Sequence, residues 1–413
     1  MDRIALLKNA VQDYAWGSRT YIQKLLRESA HSGKPMAELW MGTHPHGPSR
    51  VLWRGRWMLL SHLIQESPES VLGESIARRF CNQLPFLFKV LAAAKPLSIQ
   101  CHPSLKQATA GFQREESCGI ELSALERHYR DQNHKPEIFC ALKPSWVLKG
   151  FRSAAEIRSL IEKLGLSSLM HGISPALTKG LGKNLRAFFT ALIELDHPRQ
   201  RELITEAVRS IRKASHREPA SSWVLTLNRA FPDEVMVLSP LLLNLIHLKP
   251  GEAVMINPGT LHAYLGGVGV ELMANSDNVI RAGLTPKIKD IDELLRIVNF
   301  HQEEAKILDS EKGDGAEWSY PCGAKEFALS LISVTKQAPH VSSKTHSSEI
   351  MICIAGRGRI TDLRRGEALS FSRGVSVLVP ASVDQYRIEG RATIYKASVP
   401  FEKKPFRSFI PSR

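Results

Sequence analysis

The chain has 413 residues, 43% of them hydrophobic and 23% charged, with 55 Lys and Arg against 41 Asp and Glu for a net charge of +14. At roughly 150 residues per domain this length suggests two or three globular domains, and no run approaches the about 18 consecutive apolar residues of a membrane span. The start, Met1 to Lys8, is too short and charged for a secretory signal, and the six cysteines are scattered without a CxxC pair; a reduced, cytoplasmic protein is expected.

In chain order, helices are predicted at Thr20–Ser29 and Pro68–Phe80, with a turn-like cluster from Thr43 to Ser49 between them. The apolar run Leu84–Leu91 reads as a strand with Lys89 inside it. An ammonium there needs a partner or a cavity, unless the side chain snorkels to the surface. If Ile99–His102 is extended, its period of two puts Gln100 and His102 on one face and turns Cys101 to the other, and Pro103 ends the strand. Alone, Gln-x-His matches no metal motif and reads as two polar residues at a strand end. The charged, proline-free segment Ser104 to Arg130 is predicted as one or two surface helices. In His134-Lys135-Pro136-Glu137 the proline makes a strand entrance, with Lys135 and Glu137 sharing a face as a carboxylate ligand beside an ammonium, or as a surface ion pair.

From Ser153 to Phe231 the pattern turns helical, opening on the capping box Ser153-Ala154-Ala155-Glu156. Much of the positive excess lies between Lys179 and Arg217, in Lys183, Arg186, Arg199, Arg201, Arg209, Arg212, Lys213 and Arg217 at irregular spacing. That reads as solvated helix faces, not as a nucleic-acid surface. Then come Leu241–Leu248, Ala253–Ile256 and Leu261–Tyr264, separated by the turns Lys249-Pro250-Gly251-Glu252 and Asn257-Pro258-Gly259. Short strands joined this way suggest a sandwich or jelly roll. His262 follows the second turn, where a barrel-mouth ligand or an ordinary rim residue would sit. Glu271 and Asn275-Ser276-Asp277-Asn278 lead into Arg281-Ala282-Gly283-Leu284-Thr285-Pro286-Lys287. This run is either a solvated loop or a site in which Arg281 binds an oxyanion and Lys287 a phosphate. A second roll is predicted from Phe327 to Ala397, with a turn at Gly356-Arg357-Gly358 and strands near Val375–Val379 and Tyr386–Ile388. There His340, His346 and Glu349 read as a degenerate metal site or as plain surface residues.

Taken together, Gln100, His102, Glu137 and His262 offer two imidazole nitrogens and two oxygens, a borderline set suited to a divalent ion such as zinc with coordination positions left open. Read with Tyr14-Ala15-Trp16-Gly17-Ser18, Ala37 to Pro45, Leu84 to Pro103, Asn133 to Glu137 and Pro258 to Lys287, the chain resembles the type I mannose-6-phosphate isomerases, a zinc-dependent cupin family. The resemblance implies a mainly β fold with α: a cupin-type jelly-roll catalytic domain over 1–150 and 235–325, a helical insert over 151–234, and a second, C-terminal jelly roll over 326–413. It places Gln100, His102, Glu137 and His262 on the zinc ligands and Arg281 on the catalytic arginine. Lys89, Ser98, Lys135, Glu271 and Lys287 fall on the substrate pocket. Cys101 departs from the family, which usually carries a small residue such as alanine there.

The implied reaction moves a proton between C1 and C2 of open-chain mannose 6-phosphate or fructose 6-phosphate through an enediolate. Arg281 would steady the charge, Glu271 is the first choice of base, and His134 or Lys135 would help ring opening or proton shuttling. Lys89, Ser98 and Lys287 would hold the phosphate, with Arg281 as a further candidate. One zinc per chain, a sugar phosphate partner, no nucleic acid or membrane, and a monomer are expected. Two competing readings are a non-catalytic sugar-phosphate-binding cupin module, which should lack a ligand or Arg281, and an iron-dependent cupin oxygenase, which should carry more histidines.

Overall fold

Strand-forming runs bounded by glycine and proline turns pair into two sheets, and every strand-to-strand ladder described is antiparallel. The computed structural model describes residues 2–27, 33–167, 181–214 and 218–401, with nothing said of the side chains of 181–184. Parts of the predicted elements lie outside the described residues: 28–29 of the first helix, 168–180 and 215–217 of the helical stretch, and 402–413 of the C-terminal roll. Lys179, Arg217 and the side chain of Lys183 share that status. Among the described residues no helix is long and apolar enough to cross a membrane. The expected class, mainly β with α, is the observed one.

One compact part comprises the described residues of the segments 1–9, 41–86 and 311–413. Its sheet runs in the order Glu311–Lys312, Glu317–Ser319, Ala328–Val334, Tyr386–Ser398, Glu349–Asp362, Ser376–Val379, Ala5–Lys8, Arg50–Trp53, Arg56–Leu59, so a strand from the extreme N-terminus is paired with one near the C-terminus. Its core includes Ile332, Val379, Tyr386, Ile388 and Ile394. The helix expected over Pro68–Phe80 is two, Pro68–Leu72 and Glu74–Arg79, because Gly73 stands at φ 92°, outside any helical conformation. The turn expected at Gly356-Arg357-Gly358 is instead the middle of the strand Glu349–Asp362. Gly356 at φ 82° follows a register shift between Cys353 and Ala355, and a Cβ on it would overlap the Arg391 carbonyl, so its glycine serves a bulge and not a chain reversal. The chain reverses at Leu363–Gly366.

The second part comprises the described residues of the segments 10–40 and 87–310. Its sheet runs Ala253–Ile256, Glu137–Phe151, His262–Ala274, Phe86–Ala93, Glu38–Met41, Ala10–Gln12; the short strand Ile99–Cys101 pairs with His262–Ala274 and with Ile280–Gly283. Apolar residues of the roll, among them Leu91, Phe139, Val254 and Tyr264, form its interior. Helices pack on the other side of the site strands, so that Ile99, Cys101, Leu148 and Ile280 share a core with Ile157, Phe188, Ile204 and Val224. The first of these helices, Ala154–Lys163, has the expected box: Ser153 Oγ accepts from Glu156 N–H, and the Glu156 carboxylate accepts from Ser153 N–H at 3.0 Å. The two strands after the helices begin and end at the predicted turns, with Gly251 at φ 93° and Gly259 at φ 85°, although Leu241 and Leu242 belong to a short helix and the strand starts at Leu243.

Ser104 to Arg130 is one helix, Leu105–Ser117, followed by an irregular return. Gly111 on this helix lies against the buried Tyr129 ring, which a Cβ would overlap. Gly111→Ala is therefore expected to lower unfolding stability by about 1–3 kcal/mol despite the better helix propensity of alanine, read as a lower urea midpoint at unchanged slope.

Candidate metal centre

The strand Ile99–Cys101 lies between two antiparallel neighbours, so Gln100 sits opposite His262 on one side and opposite Arg281 on the other. Directly opposed residues point to the same face of the sheet, which puts the two candidate ligands and the guanidinium in one row. Cys101 turns into the apolar core behind it, as the period of two requires, and burial pushes its thiol pKa up.

Glu137 reaches the same place by a longer route. In the ladder between Glu137–Phe151 and His262–Ala274, Glu137 is opposite Met273 and His262 is opposite Lys149. Straight strands would hold Glu137 and His262 roughly 36 Å apart. Their Oε2 and Nε2 are 3.4 Å apart. The ladder folds over at its register shifts between Tyr264 and Gly269, where Gly267 stands at φ 121° and a Cβ on it would overlap Ser145.

His102 Nε2 is 3.3 Å from Glu137 Oε1. The donor atoms of His102, Glu137 and His262 lie within 4.8 Å of one another. All three side chains are buried. Backbone carbonyls set the tautomers: His102 Nδ1 donates to Asn278 O at 2.7 Å and His262 Nδ1 to Thr260 O at 2.9 Å, leaving both Nε2 lone pairs facing Glu137. Gln100 Nε2 is 3.2 Å from His262 Nε2, and half a turn of the amide presents Oε1 instead. Burial and the nearby Lys135 ammonium hold His102 down to about 4, so it is a neutral imidazole. Burial would raise Glu137, but Lys135 and His102 outweigh it and keep the carboxylate ionised. Lys135 Nζ is 3.2 Å from Glu137 Oε1.

The donor set fits a metal on a structural test. His102 Nε2 and Glu137 Oε2 are fully buried yet make no hydrogen bond among the described residues, an arrangement that is costly unless something else binds them. Two imidazole nitrogens, a carboxylate and an amide oxygen are ligands that suit zinc, with coordination positions left for substrate oxygens.

A second group adjoins the first. Lys89 Nζ is 3.0 Å from Glu271 and 3.7 Å from Glu38, and lies 5.3 Å from the centre of the Trp40 ring. Burial alone would lower the lysine, but Glu271 and Glu38 hold it above its ordinary value, as an ammonium. Burial raises Glu271 against the pull of Lys89, with Glu137 and Glu38 adding to the rise. Sequence reasoning missed Glu38 as a site residue. A carboxylate in the apolar strand Glu38-Leu39-Trp40-Met41 was the signal, since it too must find a partner.

A third group is cationic. Arg281 is half-buried and Lys287 exposed; burial lowers both, Arg130 opposes both, and Arg281 also opposes Lys287. Among the described residues the Arg281 guanidinium has no carboxylate or hydrogen-bond partner. Arg130 was likewise not foreseen. Ser98 is half-buried just before the strand, on the face that Gln100 shares, and His134 is half-buried next to Lys135. The polar run after Glu271 is no solvated loop: Ser276 and Asn278 are buried, Asn278 Nδ2 donates to Asp131 O at 2.8 Å, and Asp277 N–H donates to Asp131 at 2.7 Å. This network positions the carbonyl that orients His102.

In the C-terminal roll the surface reading of His340, His346 and Glu349 is corrected, since all three are buried.

Three comparisons bear on this geometry. Residues 4–154 match the model "Phosphomannose isomerase type I, catalytic domain", and residues 317–399 match "Mannose-6-phosphate isomerase, cupin domain". The mannose-6-phosphate isomerase of Escherichia coli is 37% identical over 396 residues, covering 94% of this chain and 97% of that one, and the human protein of the same name is 34% identical over 331 residues, covering 74% and 75%. A crystal structure of a phosphomannose isomerase variant from Salmonella typhimurium superposes with a TM-score of 0.88 at 35% identity over 96% of this chain and all of that one. A zinc-bound mannose 6-phosphate isomerase superposes at 0.87 with the same identity and coverage.

Proposed function

Because the chain belongs to the type I phosphomannose isomerases, we propose that it is an aldose-ketose isomerase interconverting D-mannose 6-phosphate and D-fructose 6-phosphate, with zinc as its cofactor. One observation carries the reading: buried donor atoms of His102 and Glu137 that no described residue satisfies converge with His262 and Gln100, beside an Arg281 that has no partner among the described residues. Gln100, His102, Glu137 and His262 hold the metal, which when bound supplies Lewis-acid polarisation of the sugar oxygens. Arg281 steadies the negative charge that develops on the enediolate. Glu271, raised by burial, moves the proton between C1 and C2, and Lys89 keeps that carboxylate in place while adding positive charge to the pocket. Lys135 and His134 serve ring opening and proton shuttling. Lys287 and Ser98 hold the phosphate, with Arg281 adjoining them.

The protein acts as a cytoplasmic monomer on a sugar phosphate and without nucleic acid. Ion pairs Arg201 to Asp233 and Arg209 to Glu206 on the basic helices support the last point, since they spend part of that charge within the protein. The test is an assay that couples fructose 6-phosphate formation to a dehydrogenase, run on zinc-replete protein with and without chelator. Turnover that disappears with chelator and returns with zinc is expected. No turnover in the replete preparation would leave the non-catalytic binding module as the better account.

A further inference from the structure

We propose that the C-terminal roll contains a second, non-catalytic ligand site that takes a neutral, hydroxyl-rich small molecule such as a free hexose or polyol. A cavity of about 430 Å³ opens there, lined among others by Glu317, His340, His346, Glu349, Lys396 and Phe401. His340 is 2% exposed, and among the described residues neither ring nitrogen has a hydrogen-bond partner; Glu317 Oε2 lies 3.6 Å from its Nε2. His346 is 8% exposed, and with Nδ1 donating to Ser347 O at 2.9 Å its unpartnered Nε2 is an acceptor. Buried ring nitrogens in this state are available to a molecule that enters the cavity and supplies their hydrogen bonds.

The charges select the ligand class. Lys396 Nζ lies 2.7 Å from Glu317 and 3.1 Å from Glu349, and Tyr386 donates to the other oxygen of Glu349 at 2.7 Å. The ammonium thus stands between the two carboxylates, the place a divalent cation would need. Among the described residues, moreover, no three donor atoms of His340, His346, Glu317 and Glu349 close up as those of His102, Glu137 and His262 do. Anions are disfavoured too, because Glu317, Glu349 and the lining Asp314 outnumber Lys396. Hydroxyl groups satisfy both kinds of atom: they donate to imidazole and carboxylate, and they accept from the third proton of Lys396, which its two partners leave over. Phe401, 43% exposed, lines the cavity and supplies an aromatic surface for the C–H side of a sugar.

The experiment titrates zinc-loaded full-length protein calorimetrically with D-mannose, D-glucitol and myo-inositol, in the wild type and in His340→Phe and Phe401→Ala. Saturable binding of at least one probe is expected, weakened about tenfold or more by His340→Phe and measurably by Phe401→Ala. Isomerase kcat/KM is expected to stay unchanged in both variants. If His340→Phe does not fold, the exposed Phe401→Ala carries the test. No saturable binding of any probe, binding equal in wild type and variants, or a second equivalent of zinc that His340→Phe removes would each overturn the proposal. Because the readout is binding at a different site, it stays legible whether or not the isomerase assay succeeds.

Discussion

His102→Ala is expected to empty the metal centre and to lower kcat/KM for mannose 6-phosphate by roughly a thousandfold or more, the loss of about 4 kcal/mol of transition-state stabilisation. His102 Nε2 is one of the two buried atoms of this centre, with Glu137 Oε2, that make no hydrogen bond among the described residues, and alanine leaves Glu137 and Lys135 as a bare ion pair in its place. The measurement is zinc content by elemental analysis beside steady-state kinetics. Both should fall together, and added zinc should not restore the variant. Full zinc occupancy with activity lost would mean that His102 acts on the substrate and not on the metal. The wild type stripped by chelator should lose activity to the same degree and regain it on zinc addition, which separates an emptied site from a damaged fold.

Arg281→Ala is expected to lower kcat by about 10²–10³ while zinc content stays near that of the wild type, the magnitude seen when one donor to a developing oxyanion is removed. The argument rests on placement. Arg281 is opposite Gln100 across the strands yet shares no hydrogen bond with any ligand, and its guanidinium has no partner among the described residues. A half-buried cation kept without a carboxylate is waiting for an anion. Arg281→Lys should recover part of kcat, since a point charge replaces a planar fork. A variant that loses its zinc would show that Arg281 holds Gln100 in place, which contradicts the assigned role.

Local chemistry explains what could be read early. The Pro-Gly turns before Ala253 and before His262, the capping box at Ser153 and the alternation of Gln100, Cys101 and His102 depend on neighbours a few residues away. So does the strand character of Leu84–Leu91. The turns, the box and the alternation appear in the structure where the residues placed them, and the strand is there too, shifted by two residues to Phe86–Ala93. The misread turn at Gly356 marks the limit of such reasoning. Glycine signals a backbone that needs room or a positive φ, and whether that need is a turn or a bulge depends on Arg391, far along the chain.

Partners at long sequence separation were beyond reach for the same reason. Lys89 could be known to need a counter-charge, but not that Glu271 and Glu38 would supply it. The buried state of His340 and His346 follows from their packing near Tyr386, which no spacing reveals.

What the amino-acid sequence by itself determined was the kinds of atom available to a metal and the strand ends on which they stand, because side-chain chemistry and the period of two are properties of a residue and its immediate neighbours. Only the tertiary structure decided that these atoms meet. Glu137 and His262 belong to opposite ends of one ladder and come within 3.4 Å because that ladder bends through its glycine bulges. Pairing register and bending are set by the packing of whole strands, and that packing is where the metal centre is made.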